Sequence, residues 1–359
     1  MKRFLRATLV AALAVVGMTQ CGPMPEPTNS RAHRFAQTLD AFVASVPVAG
    51  VAAGVVTTGG PAGVTSWYGA AGAAAPGRAL TDGDSFRIAS VTKTFTAALV
   101  LRLAEDGAID LDAPAARWVA NVPAYVTVRH LLSHTSGLAD YLSLMPQLGY
   151  RMDVRYAPSQ LVAIALSAGA AAPGSFSYSN TNFIVLGMIV EAATHQRFDQ
   201  ALRARILQPA GLTSTYLEGF EEGPVVEGTQ YACAGFADVS GVLHPTVAWS
   251  AGGLVSTTHD LVAWFEALFV QRRVLSAASL QAMTTPAYFG SPYGLGMEVG
   301  NPCGGGAPVV WHDGSTPAGF CAFVAYQPSA GFFVSVLSNS HTASCQEVQE
   351  LACKLASEM

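Results

Sequence analysis

Short β-rich runs stand at both ends of this 359-residue chain, and a long stretch with helical spacing separates them. Strands need partners in the hydrogen-bonding direction, so runs at opposite ends of a chain are expected to meet in one sheet. Residues 51–57 and 64–70 flank Gly59-Gly60-Pro61 and read as a hairpin. Residues 294–299, 309–312, 320–326 and 332–338 repeat the β pattern near the other end, with Pro328-Ser329-Ala330-Gly331 as one of the turns. Between them, residues 128–132, 159–167, 182–193, 198–207, 258–269 and 277–283 carry apolar residues at helical spacing. Further helices are expected over 30–46, capped by Asn29 or Ser30 with Phe35, Leu39, Phe42 and Val43 on one face, and over 346–356. Residues 86–88 lead into another, from Ser90 to Asp106, which Gly107 ends. The fold class that follows is α/β: a mixed, mainly antiparallel sheet built from both chain ends and flanked by helices. An all-α lobe is inserted at about residues 108–285.

A hydrophobic content of 51% supports a large core and excludes a disordered chain. With a net charge of −5 and no block of Lys or Arg, the chain lacks the footprint of phosphate neutralisation, so nucleic acid is not an expected partner. The first 20 residues read as a signal peptide: Lys2, Arg3 and Arg6, then an apolar run from Ala7 to Met18 that is too short to span a bilayer. Residues 21–30 read as a Pro-rich tether, and residues 31–359 as one catalytic domain. A lipid on Cys21 would anchor the protein to a membrane, and ordinary secretory cleavage nearby is the alternative. Either way the expected location is outside the cytoplasm: the bacterial periplasm, the cell envelope or the medium.

The six cysteines are Cys21, Cys233, Cys303, Cys321, Cys345 and Cys353. Export permits disulfides, and six free cysteines allow 15 connectivities. Cys345 and Cys353 are eight apart, which in a helix is roughly 12 Å, too far for a bridge. So Cys353 pairs elsewhere, or Cys345 precedes the helix, or neither is bridged.

Chemistry enters with Ser90-Val91-Thr92-Lys93. Residues three apart share a helix face, which places an amine beside a hydroxyl. A serine needs a base to become a nucleophile, and a lysine serves when burial lowers its pKa. The apolar neighbours Phe86, Ile88, Phe95 and Leu99 favour that burial. Downstream, Tyr178-Ser179-Asn180 offers a phenol for proton relay and an amide for substrate binding. Trp311-His312-Asp313-Gly314-Ser315 closes a β-run, where Gly314 would admit substrate backbone and the Ser315 N–H would serve an oxyanion. His130 and His134 have metal-like spacing, but no acidic residue lies between them, so neither a metal nor a cofactor is expected.

Ser90–Lys93, Tyr178–Asn180 and His312–Gly314, in that order, resemble the three active-site elements of the serine β-lactamase and D,D-peptidase superfamily. The chain looks similar to the branch of class C β-lactamases, D-alanyl-D-alanine carboxypeptidases and esterases, in which Tyr-x-Asn replaces Ser-Asp-Asn. The strings Leu131-Leu132-Ser133-His134-Thr135-Ser136-Gly137-Leu138, Ser250 to Thr257 and Tyr293-Gly294-Leu295-Gly296-Met297 fit the same branch. The resemblance spans about residues 35–355. It implies a β-lactamase/transpeptidase-like fold and a small-molecule or peptide substrate carrying an ester, amide or D-amino-acid peptide bond. It implies that Ser90 is acylated, that Lys93 and Tyr178 share the proton work, and that Asn180, His312, Gly314 and Ser315 bind substrate. It places His134 in a structural turn. The third motif departs from the Lys-Thr-Gly of β-lactamases: His312 is a weaker cation and Asp313 would repel a carboxylate if it faced the pocket. Efficient penicillin hydrolysis is therefore less expected than esterase, amidase or peptidase activity. The alternative is a non-catalytic penicillin-binding or ligand-sensing envelope protein on the same scaffold.

Overall fold

The computed structural model describes residues 30–60, 63–232, 235–341 and 345–359. The expected signal peptide and nearly all of the tether, with Cys21, lie outside the described residues, as does Cys233. Twelve strands are described: β1 (Gly50–Gly60), β2 (Gly63–Ala75), β3 (Arg78–Ala79), β4 (Phe86–Arg87), β5 (Tyr216–Leu217), β6 (Thr229–Ala232), β7 (Gly235–Asp238), β8 (Leu254–Ser256), β9 (Glu298–Gly300), β10 (Val309–Thr316), β11 (Phe320–Gln327) and β12 (Phe332–Ser338). Seven form one sheet in the order β3-β2-β1-β12-β11-β10-β9. Every neighbouring pair in it is antiparallel. The two chain ends do meet: β1 pairs with β12 through Val51↔Ser338 to Thr57↔Phe332.

The central strands are apolar on both faces because both faces are covered. Val51, Ala53 and Val55 of β1, Phe323 of β11 and Val334 and Val336 of β12 face helices Arg31–Ser45 and Gln346–Ser357, meeting Phe35, Leu39, Val348 and Leu351. The alternate residues Ala52, Val56, Ala322, Val324, Phe333 and Leu337 face the larger core, which holds helices Thr92–Glu105 and Thr258–Phe265 and the lobe. Helix Thr92–Glu105 is buried almost all round, and Phe95 stacks on Trp264 at 4.3 Å. Its position between sheet and lobe carries Lys93 out of solvent.

Several expected elements differ. The lobe is not all-α: β5 and β8 join β4 in a three-stranded sheet, and β6 and β7 form a hairpin. These strands have two to four residues each, too few to show a period. Helices Tyr141–Gln147 and Pro245–Gly252 were not anticipated, because Pro146 lies in the first and Trp249 breaks the second at φ 34°. The helices expected over 198–207 and 258–269 finish in π turns, Arg203–Leu207 and Glu266–Val270. The run 294–299 reduces to β9. Ser90 lies not in the α-helix but on the 3₁₀ turn Ala89–Val91 just before it.

Two disulfides hold the C-terminal helix, Cys303–Cys353 to the β9–β10 loop and Cys321–Cys345 to β11. Cys345 precedes that helix as its N-cap, which frees it to reach β11. Cys303–Cys353 spans 50 residues, and loop-closure entropy of that length contributes about 4 kcal/mol to stability. A Cys303→Ser, Cys353→Ser double variant should therefore lose stability of that size in urea titration. A loss below about 0.5 kcal/mol would mean that the bridge adds little to the folded state.

Candidate active site

Ser90 is presented by a strained turn. Ala89, just before it, has φ 44°, a region that side chains other than glycine rarely occupy. The turn is pinned by Ile88 N–H donating to Leu254 O at 3.0 Å and covered by β10. A Cβ on Gly314 would sit 2.3 Å from Ile88 O and 3.1 Å from Ser90 N, so only glycine lets β10 lie this close. The missing side chain therefore accommodates the protein's own turn rather than substrate backbone.

Lys93 follows in the first helical turn and is fully buried. Its Nζ donates to Ser90 Oγ at 2.9 Å, Asn180 Oδ1 at 2.8 Å and Ala251 O at 2.8 Å. Burial holds the amine at about 7 instead of 10.5, although the Asp140 and Asp313 charges pull the other way. A lysine poised there can act as a base near neutral pH. The Ala251 carbonyl was not a sequence candidate. A backbone acceptor leaves no side-chain signature, though Ala251 does fall in the string 250–257.

Tyr178 and Asn180 arrive from the lobe. Asn180 opens helix Asn180–Thr194, and its N–H is held by Asp140 Oδ1 at 2.8 Å. Because Oδ1 of Asn180 accepts from Lys93, its amide N–H₂ is the end left to donate toward a ligand. Ser90 is near enough to the Tyr178 hydroxyl to lower its pKa, and Lys93 Nζ stands 4.9 Å from its ring centre. The residue keeps 39% of its surface exposed. Burial raises its hydroxyl well above 10; Ser90 opposes this, and the charge of Asp313 adds to it.

On β10, side chains alternate between faces. His312 points inward and is buried, not in the cleft. Its Nδ1 donates to Asp313 O at 2.6 Å, so Nε2 accepts from Tyr293 Oη at 3.1 Å. Burial, with Lys93 nearby, holds it neutral, against the pull of Asp313. The expectation that His312 binds substrate is thus corrected. Asp313 points the other way and is half-exposed. Beside it, Glu298 is raised to about 8 by burial and by the Asp313 carboxylate. Ser315 is exposed, lines the same small cleft as Ser90 and Asn180, and its Oγ meets His341 Nε2 at 3.0 Å. Among the described residues, no group of three or more His, Cys, Asp or Glu side chains is arranged to hold a metal ion. The structure thus gathers Ser90, Lys93 and Asn180 into one hydrogen-bonded cluster with the Tyr178 ring against it, Gly314 and Ser315 on the strand above and His312 behind.

Known proteins are similar to this chain in fold and sequence. The D-amino acid amidase from Ochrobactrum anthropi SV3 superposes with a TM-score of 0.82 at 28% identity, over 92% of this chain and 98% of that one. Penicillin-binding protein 4* of Bacillus subtilis (strain 168) is 26% identical over 67% of this chain and 57% of its own length. Esterase EstB of Burkholderia gladioli is 37% identical over 38% of this chain and 39% of its own. The chain thus spans less than two thirds of these two curated relatives. A family model described as Beta-lactamase matches residues 35–351, so the chain belongs to the beta-lactamase family.

Proposed function

We propose that this protein is a serine hydrolase that cleaves an ester, amide or D-amino-acid peptide bond through a covalent acyl-enzyme. The observation that carries this is the buried Lys93 amine at 2.9 Å from Ser90 Oγ, with the Tyr178 ring 4.9 Å from that amine. When Lys93 is neutral, its two N–H groups stay on Asn180 and Ala251 and its lone pair turns to Ser90, so it takes the proton, with the Tyr178 hydroxyl as relay, as Ser90 Oγ attacks the carbonyl; the proton then passes to the departing alcohol or amine. Water, deprotonated by the same groups, then cleaves the acyl ester and restores Ser90. The amide end of Asn180 holds the acyl portion, and backbone N–H groups of Ser90 and Ser315 receive the oxyanion. A non-catalytic binder finds no support in this arrangement, since nucleophile, base and phenol are all in place.

Asp313 favours substrates without a carboxylate at the end of β10. Its side chain is half-exposed, and its charge reaches Lys93 and Tyr178. His312, being neutral, offers no compensating cation. Amides and esters of D-amino acids, which carry an ammonium instead, fit this field, as does the likeness to a D-amino acid amidase. A panel of p-nitrophenyl esters, D-amino acid amides, D-alanyl-D-alanine peptides and nitrocefin tests the proposal. Ester and amide turnover after a burst of one equivalent is expected, and the absence of both turnover and Ser90 labelling would defeat it. Asp313→Thr should raise kcat/KM for carboxylate-bearing nitrocefin by about tenfold, the effect of removing one repulsive charge at short range. An unchanged value would place Asp313 outside the recognition field.

We further propose that the enzyme is exported and anchored through a lipid on Cys21. The basic start, the apolar run and the Pro-rich segment after Cys21 support this, and two disulfides fit an oxidising compartment.

A further inference from the structure

His134 lies directly beneath the phenol and touches neither Ser90 nor the cleft. It is fully buried, at φ 56°, in the turn after helix Val128–Leu132. Its carbonyl accepts the Ser177 N–H at 2.8 Å, and its Nδ1 accepts the Ser179 N–H at 3.1 Å. One residue thus holds both chain neighbours of Tyr178. Its ring also stacks on the Tyr178 ring, with centroids 4.2 Å apart. A second donor, Asn182 Nδ2, meets the same Nδ1 at 3.1 Å, oriented by Ser136 Oγ, which donates to Asn182 Oδ1. Two N–H donors on Nδ1 require an unprotonated nitrogen there, so the neutral ring carries its hydrogen on Nε2. Burial, Lys93 and His312 all press the ring toward the same neutral state, with only the Ser179 contact opposing.

We propose that His134 is the positioning residue for Tyr178, setting the height and tilt of the phenol over Ser90 through this clamp and stack. The inference rests on the acyl-transfer reading, because it matters only if Tyr178 moves protons. A displacement of even 1 Å at a reacting group can lower a rate about 100-fold.

The test is a double-mutant cycle with p-nitrophenyl acetate turnover and the rate of Ser90 labelling by a fluorophosphonate. His134→Asn keeps an acceptor and tolerates positive φ but removes the stacked ring; His134→Phe keeps a ring and removes the acceptor. Each should lower kcat at least tenfold while KM stays within about twofold. In a Tyr178→Phe background, each should change either rate less than twofold, because the group being positioned is gone. Equal losses in both backgrounds would reduce His134 to a structural residue and overturn the inference. An inert wild-type protein would instead sink the acyl-transfer reading itself. ¹⁵N-histidine spectra of the wild type provide a check without mutation. Nε2–H with bare Nδ1 at pH 6 is expected, and a doubly protonated His134 would overturn the clamp.

Discussion

Ser90→Ala should abolish fluorophosphonate labelling and lower ester turnover by about 10⁴-fold or more, while stability moves by less than about 1 kcal/mol. The catalytic loss follows from removing the atom that forms the acyl bond; what remains is binding and oxyanion stabilisation. The small stability change follows from the site. The side chain is part-buried, and its Oγ accepts one of three Lys93 hydrogen bonds while Asn180 and Ala251 keep the other two. Turnover within 100-fold of wild type would show that another residue carries the acyl group.

Lys93→Met should lower turnover by at least 10³-fold and yet stabilise the protein at pH 6. The sign follows from proton binding. The unfolded lysine titrates near 10.5 and the folded one near 7. Between those values the unfolded state binds the extra proton, so native stability rises with pH across this window. Below about pH 7 the native chain holds a buried charge, at a free-energy cost on the order of 5 kcal/mol. Methionine removes that charge but strands the acceptors of Asn180 and Ala251, which returns about 1–3 kcal/mol. The variant should therefore be more stable in urea at pH 6, lose the advantage as pH rises, and be the weaker protein near pH 10. The same titration sets the wild-type activity, whose acid limb should fall near pH 7 as Lys93 protonates. A stability difference independent of pH would mean that Lys93 is solvated in the folded protein.

The origin of the site is unequally distributed between sequence and fold. Helical spacing exposed most helices, and the i, i+3 separation of Ser90 and Lys93 alone put amine beside hydroxyl. β-rich runs at both ends required a shared sheet, because an unpaired strand leaves its backbone groups unsatisfied. What escaped was set by groups distant in the chain. Ala251 offers Lys93 only a carbonyl, and no residue type announces that. His134 is ordinary until the fold stacks it on Tyr178, 44 positions later in sequence.

His312 shows the division most clearly. Its place in the motif His312-Asp313-Gly314 was legible, but a strand sends alternate side chains to opposite faces, and the buried face was decided by how β10 packs over the Ile88–Ser90 turn. That packing made His312 a neutral, buried hydrogen-bond partner of Tyr293 and left Asp313 as the exposed charge. Local spacing along the chain determined which reactive groups share a helix turn or a strand. Tertiary packing alone decided which of them lose water, and with it their charge, because desolvation depends on every element that closes around a group and not on its neighbours in sequence.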